Sequence, residues 1–260
     1  MAGRKAKINE SWKDLDSAWQ EDPKTRSLVK AQVEDADLVK ARRSQFVRSA
    51  IRVFSTKGYH TATIKEIAKD AGVSPGLIYQ YVNDKEEILF LALQLIVFTL
   101  KRGLPAASGS ADNPMEKFYA CFGAYCRVID NHRHASILTY RETYSLTPEH
   151  KDFIKEMELE TNEIIAKTVR ECVDQGFFNN IDVELFVYHT IMAAHSWALK
   201  HWRLSRIATI DEYISTNAKF LLASVITEKG RAAMSEVLKA AHSAELHHLP
   251  SKIAKGRQKS

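Results

Sequence analysis

Cysteine is scarce in this sequence of 260 residues, and its arrangement excludes two common ways of stabilising a fold. The three cysteines, Cys121, Cys126 and Cys172, are odd in number and lack the Cys-x-x-Cys spacing. That spacing is typical of zinc sites, and an even number of cysteines is typical of disulfide frameworks in secreted proteins. We therefore expect three small core residues in a reducing cytoplasm, with no disulfide and no metal site.

The motifs of common enzyme active sites are absent as well. The sequence has no glycine-rich phosphate loop, no Gly-x-Ser-x-Gly turn and no His-Glu-x-x-His pair. His189, His195 and His201 recur every six residues, which turns each about 600° from the last, so they do not share a helix face. Glu158 and Glu160 lie on a periodic helical segment and indicate a solvated face. We expect no catalytic residues, no cofactor and no enzymatic activity.

Long apolar runs are missing too. The most apolar stretch, "ILFLALQLIVFTL" at residues 88–100, is interrupted by Gln94. A membrane-spanning helix needs about 20 apolar residues, so this stretch predicts a buried helix and no membrane partner. Met1 is followed by the polar segment "AGRKAK", which predicts no secretory signal. With 45% hydrophobic and 27% charged residues, the composition is that of a globular protein.

Positive charge, in contrast, is concentrated in one segment. Residues 40–85 contain nine Lys or Arg residues against three Asp or Glu residues, a net charge of +6 in a chain of net charge +5. Such a cluster is expected on a surface that meets a polyanion such as nucleic acid. Charge alone is equally compatible with a solvated basic face, so the local motifs have to decide.

Local signals in the same segment predict a three-helix unit. In "RRSQFVRSAIRVFSTKGY", apolar residues recur at helical spacing, and Gly58 ends this first helix. Thr63 and Glu66 form a capping box that opens a short second helix. Gly72 permits the sharp bend that follows it, as in a helix-turn-helix.

The third helix of this unit carries large side chains on its outer face. Ser74 caps the helix, and Pro75 suits its first turn because proline has no amide proton to leave unpaired. Ile78 and Val82 are four residues apart and are expected to face inward. The side chains left to face outward are those of Leu77, Tyr79, Gln80 and Tyr81. A helix of this kind suits entry into the major groove of DNA, with an idle surface helix as the alternative.

The stretch "TATIKEIAKDAGVSPGLIYQYVNDKEEIL" at residues 61–89, preceded by "AIRVFSTKGY", resembles the DNA-binding domain of the TetR family of bacterial repressors. The resemblance covers about residues 42–92 without a gap. It implies an all-α fold, in which a three-helix helix-turn-helix DNA-binding domain precedes a helical-bundle domain for ligand binding and dimerisation. It also implies a homodimer that binds a double-stranded DNA operator and a small-molecule effector.

The resemblance further implies roles for individual residues. Thr63, Tyr81 and Lys85 fall where the family contacts phosphates. A second set falls where the family reads bases or thymine methyl groups: Lys65, Pro75, Gly76, Leu77, Tyr79 and Gln80. Ser74 is a further expected DNA-binding position. Gly76 departs from the pattern because it has no side chain to read with, so we expect weak discrimination there.

Four segments are expected along the chain. They are an N-terminal extension at residues 1–39, the helix-turn-helix domain at 40–85, the ligand-binding and dimerisation domain at 86–250, and a basic tail at 251–260. Trp12 and Trp19 lie seven residues apart on one helical face, so we expect the extension to dock on its own dimer. Residues 24–40 could also lengthen the first helix. The tail is expected to be solvated, with DNA contact as the alternative.

Helical patterns continue through the rest of the chain, after a segment at residues 103–114 whose composition predicts a loop. The patterns lie around residues 115–130, 135–145, 149–175, 182–203, 210–228 and 231–247. In the family, a ligand pocket lies among such helices. Apolar and aromatic stripes predict Phe122, Tyr125, Phe153, Met157 and Trp197 as pocket residues, and Arg141 could face an anionic group. Each stripe alone is also compatible with plain core, and Arg141 with a surface pair to Glu142.

The dimer interface is expected in the last helices. "YHTIMAAHSWALKHWRL" combines small residues, which allow close helix approach, with large apolar ones, and the helix after it has a second apolar stripe. The predicted interface residues are Ala194, Trp197, Phe220 and Leu221.

The sequence therefore predicts a ligand-responsive transcriptional regulator, foremost a repressor that an effector releases from a palindromic operator. "LTYRETYSL" and "SWALKHWRL" resemble segments of family members that control acyl-CoA or aromatic-acid catabolism, so an acyl-CoA or a hydrophobic or aromatic acid is the expected effector. An activator of the same family is one alternative. A helical enzyme that modifies small molecules is another, although the sequence offers it no nucleophile, base or cofactor loop.

Overall fold

The computed structural model describes residues 23–109, 111 and 113–248. Within these residues every regular element is a helix, and one isolated bridge joins the extended residues Phe178 and Ile226. The predicted all-α fold is confirmed. Trp12 and Trp19, with the docking predicted for them, and the tail at residues 251–260 lie outside the described residues.

The first helices form a small head. They are α1 (Pro23–Leu28), α2 (Ala36–Lys57), α3 (Ile64–Ala71) and α4 (Pro75–Ile78). Thr63 and Glu66 form the predicted capping box at the start of α3. Gly58 and Gly72 follow α2 and α3 with φ of 85° and 70°, conformations that cost glycine little and other residues more. The sequence signals for this head are therefore confirmed in its helix ends.

The beginning of α2 differs from the predicted start of the domain. Asp35 caps this helix by accepting hydrogen bonds from the amides of Asp37 and Leu38, each at 3.0 Å. A non-helical segment separates this cap from α1. Residues 24–40 therefore do not form one continuous extension of the first helix.

A long buried helix, α5 (Lys85–Ser108), leaves the head and runs into the rest of the protein. Asp84 caps it, and its residues from Ile88 to Leu93 are at most 1% exposed. Among the described residues it is the one helix long and apolar enough to cross a membrane, by length and composition alone. Its most apolar window is 67% buried inside the protein, as the sequence predicted for a core helix.

The segment at residues 103–114 is not a loop throughout, as its composition predicted. α5 continues through Gly103 and Pro105 to Ser108. Proline inside a helix removes one backbone hydrogen bond. Leu104 beside it is fully buried, however, and the amide of Gly109 donates to the carbonyl of Pro105 at 2.9 Å. Burial of the leucine explains why the helix passes the proline.

The remaining helices form a bundle around α5. They are α6 (Pro114–Asn131), α7 (Arg133–Glu142), α8 (Pro148–Asp174), α9 (Val183–Leu199), α10 (His201–Leu204), α11 (Ile210–Leu222) and α12 (Glu228–His248), with a 3-10 turn at Thr143–Ser145. The predicted helices are confirmed to within a few residues, with two differences. The pattern at 182–203 breaks after Leu199, and the pattern at 210–228 ends at Leu222, before the turn that bridges Ile226 to Phe178.

α6 lies in the middle of this bundle, packed against α5, α8, α9 and α11. Cys121, Cys126 and Cys172 are buried, free thiols, and burial raises the pKa of each. They have the place predicted for small core residues. Because α5 begins in the head and continues into the bundle, the boundary predicted at residues 85 and 86 falls in its first turn. The division into four segments stays a prediction.

Candidate nucleic-acid interface and ligand cavity

The head presents a polar surface formed by α3, α4 and the turn after α4. We call it the reading surface; its exposed residues are Thr63, Lys65, Lys69, Ser74, Gly76, Tyr79 and Gln80. Tyr79 is 47% exposed, and Pro75 and Leu77 are half-buried beside it. The structure thus brings together most of the residues that the resemblance implied for DNA. Their contacts with DNA stay predictions.

The prediction that Tyr81 faces outward is wrong. Tyr81 is 2% exposed, and its ring packs edge-on against Phe46 with 5.7 Å between ring centroids. α4 ends at Ile78, and the amide of Tyr81 donates to the carbonyl of Ile78, three residues back, at 2.9 Å. Such 3-10 hydrogen bonding aligns residues three apart, so Tyr81 follows Ile78 into the core. The phosphate contact implied for the hydroxyl of this tyrosine stays a prediction.

The ammonium of Lys85 contacts backbone carbonyls of its own chain. It donates to the carbonyls of Tyr59, Ala62 and His60 at 2.8, 2.9 and 3.2 Å, and it lies 4.5 Å from the centroid of the Tyr59 ring. An ammonium has three protons, and these contacts use all of them. The side chain therefore closes the loop between α2 and α3, and the phosphate contact expected for it stays a prediction.

In the part of the chain that the structure describes, some cations on the surface of the head are paired with carboxylates, and others are not. Two ion pairs join Arg52 to Asp70, with 2.9 Å between Nε and Oδ2, and Lys57 to Glu66. Lys65 and Lys69 lie four residues apart on α3, are exposed, and form no ion pair within the described residues. Residues four apart share one side of a helix. Positive charge next to α4 therefore comes from these two lysines.

A buried cation holds the turn after α4. Arg43 on α2 is 1% exposed, and its guanidinium donates to the carbonyl of Tyr81 from Nε at 3.1 Å and from Nη2 at 2.9 Å. Nη2 also donates to the carbonyl of Val29 at 2.8 Å. The net charge of residues 40–85 includes Arg43, but this buried cation is not part of the outer surface. Its burial could have been read from its position, because Val39, Arg43 and Val47 are spaced by four residues along the apolar side of α2.

Residues 23–34, which we call the strap, connect this turn to the bundle. The amide of Gln32 donates to the carbonyl of Gln80 at 2.8 Å. At the other end, Nε2 of Gln94 on α5 donates to Oγ1 of the buried Thr25 at 3.1 Å. The described part of the predicted extension therefore docks on its own chain.

Further polar contacts join the loop before α3 and the first turn of α5 to other parts of the bundle. His60, in the loop before α3, lies 3.5 Å from the carboxylate of Glu142 at the end of α7. Glu86, in the first turn of α5, accepts from the amide of Thr147 at 2.8 Å and lies 2.9 Å from Nδ1 of His150. Burial lowers the pKa of His150, but the hydrogen bond and the charge of Glu86 outweigh it and raise the pKa.

A narrow cavity lies in the bundle among α5, α6, α7, α8 and α9. Its volume is about 40 Å³, so an organic ligand would have to push these helices apart to enter. Its wall is mostly apolar, and Ile96, Leu100 and Ile154 contribute to it. Its polar groups include Asn162 and His195, so a ligand would meet an apolar wall with a few hydrogen-bonding groups.

Two side chains of the lining, Tyr125 and His195, form a hydrogen-bonded chain with Tyr140, which lies outside the lining. The hydroxyl of Tyr125 lies 2.9 Å from Nε2 of His195, and the hydroxyl of Tyr140 hydrogen-bonds Nδ1. Burial lowers the pKa of His195 to about 4, raises the pKa of Tyr140 to about 12, and raises the pKa of Tyr125 well above its usual value. Near neutral pH the imidazole is neutral and both phenols are protonated. One tyrosine therefore donates to the imidazole, and the other accepts from it.

The cavity contains few of the residues predicted to bind the ligand. Tyr125 lines it. The predicted residues that are buried in the core outside its lining are Phe122, Phe153, Met157 and Trp197. The predicted place of Arg141 in the pocket is wrong, because Arg141 is exposed on α7 outside the lining. Glu142, its predicted surface partner, is buried and contacts His60. Periodicity marks buried faces, and it could not separate cavity wall from solid core.

The predicted dimer residues are only partly exposed. Ala194 is 0% exposed within its own chain, and Nε1 of the buried Trp197 donates to Oδ1 of Asp130 on α6 at 2.7 Å. Both face α6, so their predicted place in a subunit interface is wrong. Phe220 is 71% exposed and Leu221 is half-buried.

The other side of α9 carries large apolar side chains that the sequence analysis missed. We call them, with Phe220 of α11, the outer stripe: Leu185, Met192 and Leu199 of α9, and Trp202 of α10. Their exposed fractions run from 36% for Leu199 to 71% for Phe220. The three residues of α9 are seven residues apart, the repeat of helices that pack side by side. That repeat could have been read from the sequence.

A helix-turn-helix head with an exposed reading surface, joined to a helical bundle that holds a cavity, defines a DNA-binding transcriptional regulator. Residues 46–92 match the family described as "Bacterial regulatory proteins, tetR family", and residues 111–215 match the family described as "Tetracyclin repressor-like, C-terminal domain". The chain belongs to the TetR family of bacterial transcriptional regulators. It is accordingly a regulator and not an enzyme.

Individual relatives agree with this membership. The chain is similar to the HTH-type transcriptional regulator HbdR of Aromatoleum sp. (strain CIB), with 38% identity over 220 residues, 85% of this chain and 96% of HbdR. It is 25% identical over 170 residues to the transcriptional repressor KstR2 of Mycobacterium tuberculosis, 64% of this chain and 84% of KstR2. A solved structure of M. tuberculosis KstR2 covers 76% of this chain and 99% of its own, with 19% identity and a TM-score of 0.62.

A further solved structure is that of AibR in complex with isovaleryl coenzyme A and operator DNA. It covers 69% of this chain and 97% of its own, with 17% identity and a TM-score of 0.61. At such identities the two solved structures support the shared fold.

Replacement of Arg43 by Met should loosen the turn that carries Tyr79 and Gln80. The carbonyls of Val29 and Tyr81 would lose their donor, so we expect the free energy of unfolding to fall by about 2 kcal/mol or more. Affinity for operator DNA should fall further than affinity for unrelated duplex. Urea unfolding and fluorescence anisotropy measure the two effects. Arg42→Met removes the same charge from the same helix and is the control; equal effects of both variants would contradict this role.

Replacement of Lys85 by Met should mainly destabilise the head. Three carbonyls of the loop before α3 share the lost donor, so we expect the free energy of unfolding to fall by about 1–3 kcal/mol. A phosphate contact predicts the reverse, an unchanged stability with weaker binding to all duplexes. Thermal unfolding and the salt dependence of DNA binding, measured on the same preparations beside Lys69→Met, distinguish the two roles.

Proposed function

We propose that this protein is a homodimeric repressor that binds a palindromic operator and leaves it when a small molecule occupies the cavity. The observation that carries this proposal is the sharing of helices between cavity and head. Ser136 and Thr139 of α7 line the cavity, and Glu142 at the end of the same helix contacts His60 of the head. A change of packing around the cavity therefore acts on the position of the reading surface.

α5 provides the second link. Ile96 and Leu100 of this helix line the cavity, and Lys85 in its first turn holds the loop before α3. A rotation of α5 about its axis would therefore move both the wall of the cavity and the loop before α3. A ligand changes DNA affinity only to the extent that it binds the two arrangements differently.

Dimerisation is supported by the outer stripe. Leu185 is 61% exposed, Met192 45% and Trp202 67%, and large contiguous apolar patches are uncommon on monomeric proteins. Two copies related by a two-fold axis would bury the stripe in a four-helix bundle of α9 and α11. The same axis would present two reading surfaces to half-sites about 34–36 Å apart.

The name of one relative supports the proposed direction of regulation. KstR2 is named a repressor, which supports repression here, and an activator of the same family is the alternative. The structure of AibR contains an acyl-CoA together with operator DNA, which supports a small-molecule effector. The proposed organisation is a DNA-binding head at residues 40–85 and a ligand-binding and dimerisation domain at residues 86–250, in a cytoplasmic protein.

Replacement of Gln80 by Ala should relax base preference without abolishing binding. An operator selected from random duplexes, and a panel of its single-base variants, provide the measurement. We expect discrimination of about 1–3 kcal/mol to be lost at one position of each half-site, because an amide side chain reads one base pair. Gln175→Ala, at the exposed end of α8, is the control. A uniform loss of affinity across the whole panel would be inconsistent with base reading.

Two substitutions to Glu on α9 should separate dimerisation from folding. Met192→Glu, on the outer stripe, should give folded monomers in sedimentation, with weaker binding to the palindrome and unchanged binding to a half-site. Ala194→Glu places a charge in the core of its own chain, so we expect the free energy of unfolding to fall by more than about 3 kcal/mol. A folded dimer of Met192→Glu would refute the outer stripe as the interface.

A further inference from the structure

We propose that the cavity binds an uncharged, apolar part of the effector that carries a hydroxyl group, held between Asn162 and Tyr125. This inference rests on the proposed function, in which the cavity is the effector site. It replaces the free acid that the sequence analysis expected.

The charges around the cavity disfavour an anionic group. Its lining contains neither Lys nor Arg, and Arg141, the cation predicted for it, is exposed elsewhere on α7. The ionisable acid in the lining is Glu158, which is partly exposed and whose pKa is raised by burial. A carboxylate that entered the cavity would lose its water without gaining a cation.

The side-chain amide of Asn162 is the group in this cavity that lacks hydrogen-bond partners among the described residues. Asn162 is 7% exposed and lines the cavity, and neither its side-chain nitrogen nor its oxygen has a partner in the described structure. A buried amide without partners costs free energy, so such groups are uncommon in folded proteins. A ligand that both accepts from Nδ2 and donates to Oδ1 would remove this cost.

Tyr125 offers the complementary group on the same cavity. Its hydroxyl shares one hydrogen bond with the neutral His195, whose other nitrogen is bonded to Tyr140. If Tyr125 accepts from His195, its own proton is free for the ligand; if it donates, its oxygen lone pairs are free. If the hydrogen bonds between Tyr125, His195 and Tyr140 reverse direction, Tyr125 can change from donor to acceptor. It can therefore either donate to a ligand hydroxyl or accept from it.

A hydroxyl group satisfies these conditions together. It is uncharged, and it can donate to Asn162 while accepting from Tyr125, or the reverse. A carbonyl or an ether oxygen only accepts, so it would leave Oδ1 of Asn162 unpaired. A hydrocarbon would leave both polar atoms of the amide unpaired.

Three probes with the same apolar body test this assignment: 4-ethylphenol, ethylbenzene and 4-ethylbenzoate. Isothermal titration with the full-length protein should show 4-ethylphenol binding about tenfold more tightly than ethylbenzene, the difference expected for a hydrogen bond to a buried group. Binding of 4-ethylbenzoate should be the weakest. Equal or tighter binding of 4-ethylbenzoate, or no binding of 4-ethylphenol at millimolar concentration, would overturn the proposal.

Asn162→Leu gives a second readout. The variant should fold with undiminished stability, because it replaces an unpaired buried amide by an apolar side chain of similar size. It should bind ethylbenzene at least as tightly as the native protein does, and 4-ethylphenol about tenfold more weakly. Asn179→Leu, at an exposed position outside the lining, should leave all three affinities unchanged. An unchanged preference in Asn162→Leu would overturn the proposal.

The effector role is measured separately, on operator DNA. Binding of 4-ethylphenol with the expected preferences, but without any fall in operator affinity, would leave the ligand chemistry intact and contradict the proposed function. Release of the operator by 4-ethylbenzoate with no response to 4-ethylphenol would support a ligand-responsive regulator and contradict the proposed ligand chemistry.

Discussion

The guanidinium of Arg43 lies between backbone carbonyls of two segments that are far apart in sequence. It donates to Tyr81, in the turn after α4, and to Val29, in the strap. α4 itself is a single helical turn, too short to be stable alone. Its orientation therefore depends on what is fixed at its C-terminal end. A charged donor buried against neutral carbonyls makes that end rigid, because removing it would strand two acceptors in the core.

The strap makes this rigidity dependent on the bundle. It meets the turn through the backbone of Gln32 and meets α5 through Thr25 and Gln94. The reading surface is thus held from two sides, by the strap and by the contacts of α5 and α7 with the loop before α3. Movement of the bundle cannot leave the position of α4 unchanged unless these contacts break. These contacts are what the proposed function requires, because they connect α4 to the packing of the bundle.

Much of the head could be predicted because its signals are local. The capping box of Thr63 and Glu66 and the glycine after α3 each depend on a few neighbouring residues. Tyr81 was misplaced because the backbone tightens from α-helical to 3-10 hydrogen bonding after Ile78, which rotates one side chain into the core. Ala194 was misplaced for another reason. A helix that is apolar on most sides can bury one side in its own chain and another side against a partner. Periodicity does not tell which side is which.

The cavity was the least predictable part, because a lining is defined by space that is left unfilled. Asn162 and Tyr140 carry no motif, and His195 differs from a core histidine only through the two tyrosines that meet it. Sequence patterns report which residues are buried, and packing of five helices decides where that burial is incomplete. The contacts of charged side chains could not be predicted either. Arg141 and Lys85 were both expected to bind a ligand or DNA, but Arg141 lies outside the cavity and Lys85 binds backbone carbonyls.

The energy of the unpaired amide is of the size that a switch requires. In the proposed dimer, satisfying the two Asn162 side chains, at about 1–3 kcal/mol each, would supply about 2–6 kcal/mol. Moving a two-state balance from 1:99 to 99:1 takes about 5.5 kcal/mol of differential affinity. Only the part that differs between the two arrangements counts. On the proposed function, the arrangement that holds DNA binds the hydroxyl-bearing ligand less tightly than the other arrangement does. Because Glu142 on α7, a helix that lines the cavity, lies 3.5 Å from His60 of the head, the proposed function predicts that a change at the cavity shifts the head through α7.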